Sequence, residues 1–246
     1  MLSPNTNATL SFPMKTSAIS TGKANRLFWL GRYAERAYLS LHFLRRYFDL
    51  YLDGNEVDFK TYANNLGPKL DGKLSFEEFS KLYIFDTHNP SSIMSSLKGA
   101  NDNAILLREV ISTETLAYIQ LSVCYLEKLK EARADQAVNL LQRITDYLLA
   151  FFGSIDEKFF NDKTLSIVRY GRFIESRDMH MRFGYGFNVI REVFDSLLQL
   201  KNLENRVFDS YRLDNFDFML NEYAYARNDD SYIKNLLQMV NSLVVI

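Results

Sequence analysis

The sequence predicts an all-α fold, a multi-helix bundle with long antiparallel central helices. Glycine and proline, which weaken or break helices, supply only 10 and 4 of the 246 residues. Apolar residues make up 47% and charged residues 24% of the chain, a composition typical of a globular protein with a sizeable core. No segment of the sequence shows the sustained apolar–polar alternation of a β-strand.

The first long helix is predicted from about residue 22 to residue 53, with Gly54 as its stop. Apolar residues recur along it at every seventh position in two series. These are Leu27, Ala34, Leu41 and Phe48, and Leu30, Ala37, Leu44 and Tyr51. Such an uninterrupted stripe is typical of a helix, here about 45–50 Å long, that packs lengthwise on its neighbours.

The rest of the chain is predicted to contain an arm and further helices. Residues 1–20, rich in Ser, Thr, Asn and Pro, should form a flexible N-terminal arm, and residues 21–246 a single helical domain. Residues 55–90 suggest short helical pieces, one of them opened by a capping box of Ser75 and Glu78. The longer helices are predicted over 93–111, with Ser112 as a break, then 113–131, 136–152 ending at Gly153, 164–183, 187–201 and 229–244.

The charge and the hydropathy of the sequence argue against nucleic acids and membranes as partners. The net charge is −1 and no dense Lys/Arg cluster is present, whereas nucleic-acid binding depends on a strongly positive face. Residues 1–20 lack the basic start and apolar run of a signal peptide, and no stretch reaches the ~18 uncharged apolar residues of a membrane span. We therefore expect a cytoplasmic protein with neither a nucleic-acid nor a membrane partner.

No metal or cofactor is predicted. Residues 71–79, DGKLSFEEF, resemble the second half of a calcium-binding EF-hand loop, but Gly67 and Lys69 would then occupy two ligand positions. The three histidines lack metal-ligand spacing, and the glycine-rich phosphate-binding motifs are incomplete. Cys124, the only cysteine, cannot form an internal disulfide, and its apolar helical neighbours favour a core thiol over a nucleophile.

A charged island interrupts the other face of the first helix. Arg32, Glu35 and Arg36 lie within one turn of each other. The apolar residues around them are Phe28, Trp29, Leu39 and Phe43. Because a solvated face would not normally carry such residues, we expect this helix to be buried on two sides, with the island inside the bundle or at a cleft.

The same arrangement recurs 140 residues later. Gly31, Arg32 and Glu35 correspond to Gly171, Arg172 and Glu175. Glycine inside a helix costs about 1 kcal/mol relative to alanine, so a glycine before each arginine predicts the close approach of another backbone. We expect the two islands to face each other, with Arg32 near Glu175 and Arg172 near Glu35.

Two interpretations of the islands remain open at this point. In the first interpretation, the islands form a paired ionic network that joins two central helices, since buried charges must be paired. Alternatively, they line a pocket in which arginines bind a carboxylate or phosphate and a glutamate orients the ligand or acts as a base. A cleft that reaches Arg32 and Glu175 would favour the pocket, and a sealed network would favour the structural role.

Three stretches of the chain resemble the alpha-E family, a family of helical domains named for a Glu-Arg motif. ANRLFWLGRYAERA, residues 24–37, closely resembles the family's opening signature and contains the motif as Glu35-Arg36. Residues 100–120 look like the family's central segment, with matches at Asn103, Ala104, Arg108, Ser112 and Glu114. Residues 169–182 are similar to the second Glu-Arg motif, although Ser176 follows Glu175 and Arg177 comes after it. Ile105 and Leu116 stand where the family pattern has arginine and tryptophan.

The islands and the resemblance together give seven candidates for a ligand site or a buried ionic network. They are Arg32, Glu35, Arg36, Asn103, Arg108, Arg172 and Glu175. Family members are encoded or fused beside ATP-grasp ligase-like and transglutaminase-like proteins, which implies a bacterial peptide-modifying system. The favoured hypothesis is a helical binding or scaffold module that docks such a partner, because no catalytic constellation is evident. The alternatives are an enzyme acting on an amino-acid or peptide carboxylate in an Arg/Glu pocket, and a homo-oligomer suggested by the apolar tail, residues 241–246.

Overall fold

A computed structural model describes residues 19–67, 72–132, 134–159, 163–201 and 209–244. Within these ranges the regular elements are all helices, joined by turns and loops, with no β-strand, which confirms the all-α prediction. The predicted flexible arm lies outside the described residues except for Ile19 and Ser20. In the apolar tail, Leu243 is buried in the core of the same chain. The last two residues of the tail, 245 and 246, lie outside the described residues.

The helices follow one another in this order. They are α1 (Thr21–Leu52), α2 (Phe59–Leu66), α3 (Phe76–Phe79), a π-helical segment (Ser80–Phe85), α4 (Ile93–Leu106), α5 (Arg108–Ile111), α6 (Thr113–Leu129), α7 (Ala134–Phe159), a 3-10 turn (Lys163–Leu165), α8 (Ser166–Arg182), α9 (Phe187–Lys201), α10 (Ser210–Met219), α11 (Glu222–Ala226) and α12 (Asp230–Asn241). The predicted stop at Gly153 is wrong, because α7 continues to Phe159. One exposed glycine costs a helix only about 1 kcal/mol, which the packing of α7 on α6 can outweigh.

Two local sequence signals are present as predicted. The Ser75 side chain accepts a hydrogen bond from the Glu78 amide at 3.3 Å, and the Ser75 amide donates to the Glu78 carboxylate at 3.1 Å, completing the capping box. Ser112 adopts a left-handed backbone (φ 74°) and caps α6, so the chain does break and restart there. The side chain of Lys158 supports this junction by donating to the Ile111 carbonyl at 3.1 Å.

Helix α1 lies at the centre of the bundle and packs on α4, α7 and α8. The predicted apolar stripe is buried. Its described members are Leu27, Leu30, Ala34, Ala37, Leu41 and Leu44. The opposite face is buried as well at Phe28, Leu39 and Phe43, whereas His42 is exposed. The prediction that α1 is covered on two sides is confirmed.

The neighbours of α1 on two sides run antiparallel to it. Between α1 and α7, the rings of Tyr38 and Phe152 lie 5.9 Å apart. Later in α1, Arg45 donates a hydrogen bond to Gln142, which comes earlier in α7 than Phe152. Along α4, Tyr33 packs against Gly99, and Trp29, one turn earlier in α1, borders the same cleft as Asn103, one turn later in α4. These pairs confirm the predicted antiparallel arrangement for α1 with α4 and α7.

The two helices that carry the charged islands, α1 and α8, run in the same direction. Gly31 lies against Val168, and further along both helices the rings of Phe43 and Phe183 lie 4.4 Å apart. The antiparallel prediction therefore does not hold for this pair. The physical reason is the number of reversals, because α4, α6 and α7 each traverse the bundle once between α1 and α8.

The backbones of α1 and α8 touch at the two predicted glycines. A Cβ placed on Gly31 would lie 2.0 Å from the Val168 carbonyl oxygen, and one on Gly171 would lie 2.1 Å from the Phe28 carbonyl oxygen. The contacts are reciprocal, since each glycine meets the residue three positions before the other. Glycine is required at both positions because any side chain would push the helices apart.

None of the described helices combines the length and the apolar character needed to cross a lipid bilayer.

We predict that Gly31→Ala and Gly171→Ala each destabilise the protein by about 3 kcal/mol, the upper end of the usual cost of overpacking, because the added methyl overlaps rigid backbone. Gly153→Ala is the matched control, since it also lies inside a helix but has no atom within 4 Å of the added Cβ. This control should be neutral or stabilising by up to about 1 kcal/mol. Urea unfolding of the three variants measures the difference, and equal effects at all three positions would contradict the backbone contact.

Candidate functional site

The two islands meet across the contact between α1 and α8 and form one ionic cluster, defined here as Arg32, Glu35, Arg36, Arg172 and Glu175. Glu175 accepts hydrogen bonds from two arginines of α1. Arg32 Nε lies 2.6 Å from Oε2, and Arg36 Nε lies 2.5 Å from Oε1. Arg172 Nε of α8 donates in return to Glu35 Oε2 at 3.0 Å. The predicted pairs, Arg32 with Glu175 and Arg172 with Glu35, are therefore both present.

The second half of the cluster has two further partners that sequence reasoning missed, both on α7. The guanidinium carbon of Arg172 lies 3.6 Å from the centroid of the Phe152 ring, a close cation–π contact. Arg172 also lies 3.8 Å from the carboxylate of Asp156, which is 3.2 Å from Arg169. Asp156 thus adds a third carboxylate beside the three arginines of the cluster and joins α7 to the α1–α8 pair.

Three members of the cluster are buried, whereas the side chains of Arg36 and Arg172 are 22% and 24% exposed. Glu175 is 0% exposed, Arg32 7% and Glu35 6%. Burial raises the pKa of Glu35 above its ordinary value, against the opposing effect of Arg172 and with a small contribution from the Glu175 carboxylate. Burial also works against the Arg36 cation, but the Glu175 carboxylate outweighs it, so the pKa of Arg36 is raised.

This arrangement can hold helices together, but it leaves little room for a ligand. Both Glu175 oxygens accept a hydrogen bond from an arginine, and the residue is 0% exposed, so a substrate has no access to this carboxylate as a base. The backbones of α1 and α8 are in contact at the two glycines, one turn before Glu175, so these helices leave no gap there for a ligand. The geometry therefore fits the structural interpretation of the islands better than a pocket.

The remaining two candidate residues lie outside the cluster. Asn103 is half-buried on α4, donates its side-chain amide to the Gly99 carbonyl at 2.8 Å and lines a separate cleft beside Trp29. Arg108 is exposed at the start of α5 and makes no ion pair with any described residue. The structure thus brings five of the seven candidates together and leaves Asn103 and Arg108 elsewhere.

Arg177 is the unusual residue that sequence reasoning missed. It is fully buried, and none of its three guanidinium nitrogens has a hydrogen-bond acceptor among the described residues. Its guanidinium carbon lies 4.5 Å from the ring centroid of Phe194 in α9 and 5.0 Å from that of Phe216 in α10. Burial lowers the pKa of Arg177 to about 9, with a further contribution from Arg191.

The position of Arg177 explains why it does not replace the arginine missing after Glu175. Two residues along a helix correspond to a rotation of about 200°, so Arg177 faces away from α1 and towards α9 and α10. The only sequence signal was an arginine two places after the second glutamate, and nothing in the sequence indicated its burial.

The interpretation of Cys124 as a core thiol is wrong. The side chain is exposed, as is that of Leu121, because α6 turns this face away from α7. In the part of the chain that the structure describes, no group of three or more histidine, cysteine or acidic side chains is arranged to hold a metal ion.

Two of the clefts that border α1 among the described residues are open to solvent, and neither is lined by Arg32 or Glu175. The Trp29 cleft has a volume of about 310 Å³ and lies near the start of α1, where that helix meets α4. The Tyr185 cleft has a volume of about 680 Å³ and lies between the second half of α1 and the turn after α8, with Arg46 on one wall. Both are separate from the ionic cluster.

The fold and the cluster together define an all-helical domain built around a parallel helix pair that two Gly-Arg-x-x-Glu segments lock together. Residues 21–212 match the Alpha-E family, described as a predicted alpha-helical domain with a conserved ER motif, and the chain belongs to that family. No curated protein and no solved structure matches the chain.

We predict that Glu175→Gln destabilises the protein by about 3–5 kcal/mol, because it leaves the buried Arg32 and the half-buried Arg36 without their counter-charge. Glu35→Gln should cost clearly less, because burial already disfavours the ionised Glu35 and because Arg172 keeps its contacts with Phe152 and Asp156. Denaturant unfolding of both variants at neutral pH measures the contrast, and a larger loss for Glu35→Gln would overturn this account of the cluster.

A second prediction concerns Arg177. Arg177→Met should stabilise the protein by about 1–4 kcal/mol, because a buried cation without a hydrogen-bond acceptor is replaced by an apolar side chain of similar length. Arg191→Met is the control, since Arg191 is only half-buried and is paired with Asp195 and Asp217. Thermal unfolding compares the two variants, and a strong destabilisation by Arg177→Met would show that the guanidinium is satisfied in solution.

Proposed function

We propose that this chain is a non-catalytic helical binding or scaffold module that docks an ATP-grasp-like or transglutaminase-like protein of a bacterial, cytoplasmic peptide-modifying system. The observation that carries the proposal is the ionic cluster. Its glutamates are buried and engaged by arginines, so the most conspicuous polar residues of the chain serve to join helices. The partner classes come from the resemblance to alpha-E proteins that are encoded or fused beside such enzymes.

An exposed aromatic patch supports a docking role. It is defined here as Tyr211 and Phe218 of α10 and Tyr223 of α11, which are 79%, 83% and 70% exposed. Tyr211 and Phe218 are seven residues apart and therefore share one face of α10. Arg227 lies 4.5 Å from the ring centroid of Tyr223. Aromatic residues and arginine are the types most enriched at the centre of protein interfaces, so this patch is the surface on which we place the partner.

The experiment is a binding measurement with the ATP-grasp-like or transglutaminase-like protein encoded beside this chain. We expect a complex in size-exclusion chromatography with light scattering, and calorimetry should show that Phe218→Ala weakens it by about tenfold or more. Leu149→Ala is the matched control, since Leu149 is an exposed apolar residue on α7, outside the patch, and 48% exposed. The absence of a complex with either protein would contradict the proposal, and equal loss of affinity in the two variants would remove the patch from it.

The enzyme hypothesis makes a different prediction that the same protein can test. If an amino-acid or peptide carboxylate bound at the ionic cluster, such compounds should raise the melting temperature of the wild-type protein and not that of folded Glu35→Gln. We expect no ligand whose effect depends on Glu35, because Glu35 is only 6% exposed and is paired with Arg172. A shift that disappears in Glu35→Gln would favour the enzyme over the scaffold.

A further inference from the structure

The Trp29 cleft is a second feature that the docking role does not use. Its volume of about 310 Å³ lies at the lower end of the range typical of small-molecule sites. The residues that line it are Gly22, Asn25, Arg26, Trp29 and Tyr33 of α1 and Asn103 of α4. The cleft is thus shared by two antiparallel helices near the start of α1, away from the aromatic patch.

The floor of the cleft is a pair of aromatic rings held in fixed positions. The rings of Trp29 and Tyr33 lie 5.3 Å apart at an angle of 34°. The guanidinium carbon of Arg32, which is fixed by Glu175, lies 5.2 Å from the centre of the Trp29 ring. Tyr33 packs so tightly on Gly99 that a Cβ there would lie 2.9 Å from its ring. An aromatic wall is therefore in place before any ligand arrives.

The polar groups around this floor are mostly hydrogen-bond donors. None of the six lining residues is acidic, and Arg26 is exposed without an ion pair to any described residue. The indole N–H of Trp29 and the hydroxyl of Tyr33 likewise have no hydrogen-bond partner among the described residues. Only the Asn103 amide is committed, through its bond to the Gly99 carbonyl. Such a set of donors is suited to a group that accepts hydrogen bonds and carries negative charge.

We propose that the Trp29 cleft binds a small molecule in which an anionic group, a carboxylate or a phosphate, is attached to a flat ring. The ring stacks on Trp29 and Tyr33, and the anion is bound by Arg26, whose guanidinium suits the bidentate geometry of both anions. Asn25 borders the same cleft and supplies its side-chain amide to the remaining polar atoms of the ligand. The inference is independent of the docking proposal, because it uses neither the aromatic patch nor a partner protein.

The test uses the fact that Trp29 is the only tryptophan of the chain, so its fluorescence reports on the cleft without interference. The full-length protein is titrated with benzoate and with phenyl phosphate, which combine a ring with an anion. Acetate, inorganic phosphate and benzyl alcohol supply the anion or the ring alone. Calorimetry is run in parallel, so that binding without a fluorescence change is also detected. We expect saturable binding of at least one of the two combined probes, at least about tenfold tighter than any single-group probe.

Two variants complete the test. Arg26→Gln should weaken the combined probes by about tenfold or more, because it removes the charge that pairs with the anion. Arg46→Gln is the matched control, since Arg46 is an exposed arginine of the same helix that lines the Tyr185 cleft instead, and it should bind like the wild type. The relative affinities for benzoate and phenyl phosphate show whether the cleft prefers a carboxylate or a phosphate. The absence of saturable binding in both measurements, or equal affinity in Arg26→Gln and wild type, would overturn the proposal.

Discussion

The contact between the backbones of α1 and α8 is the constraint on which the rest of the architecture depends. Gly31 and Gly171 allow the two helices to approach until a carbonyl oxygen of one occupies the place of a side chain on the other. At this separation an arginine next to each glycine reaches the glutamate one turn ahead on the partner helix. A wider spacing would leave these charges buried without partners, which costs far more than the glycines do. Close packing and charge pairing therefore support each other.

Much of this centre could be predicted from the sequence, because it is encoded in local repeats. The paired Gly-Arg-x-x-Glu segments indicated both the close approach and the identity of the ion pairs, and the heptad stripe indicated the buried face of α1. The direction of α8 relative to α1 could not be predicted from these repeats, since a repeat of side chains is compatible with either orientation. Counting the long helices between the two segments would have given the answer, because three intervening helices mean four reversals of direction, which place the fifth helix parallel to the first.

Other features depend on distant parts of the chain and left no local signal. Arg177 looks like any helical arginine until α9 and α10 bring Phe194 and Phe216 over it. Cys124 has apolar neighbours in sequence, yet its face of α6 is left uncovered. The Trp29 cleft exists only because α4 returns alongside the start of α1. In each case the environment of a side chain is set by which helix arrives beside it, and periodicity within one helix carries no information about that.

The shared direction of α1 and α8 also has an electrostatic consequence. Parallel neighbours align their helix macrodipoles unfavourably side by side, whereas antiparallel neighbours largely cancel theirs. Among the described helices, α4 and α7 run against α1, and α9 turns back along α8 and brings Phe194 beside Arg177. Each member of the parallel pair therefore has antiparallel neighbours that offset its dipole.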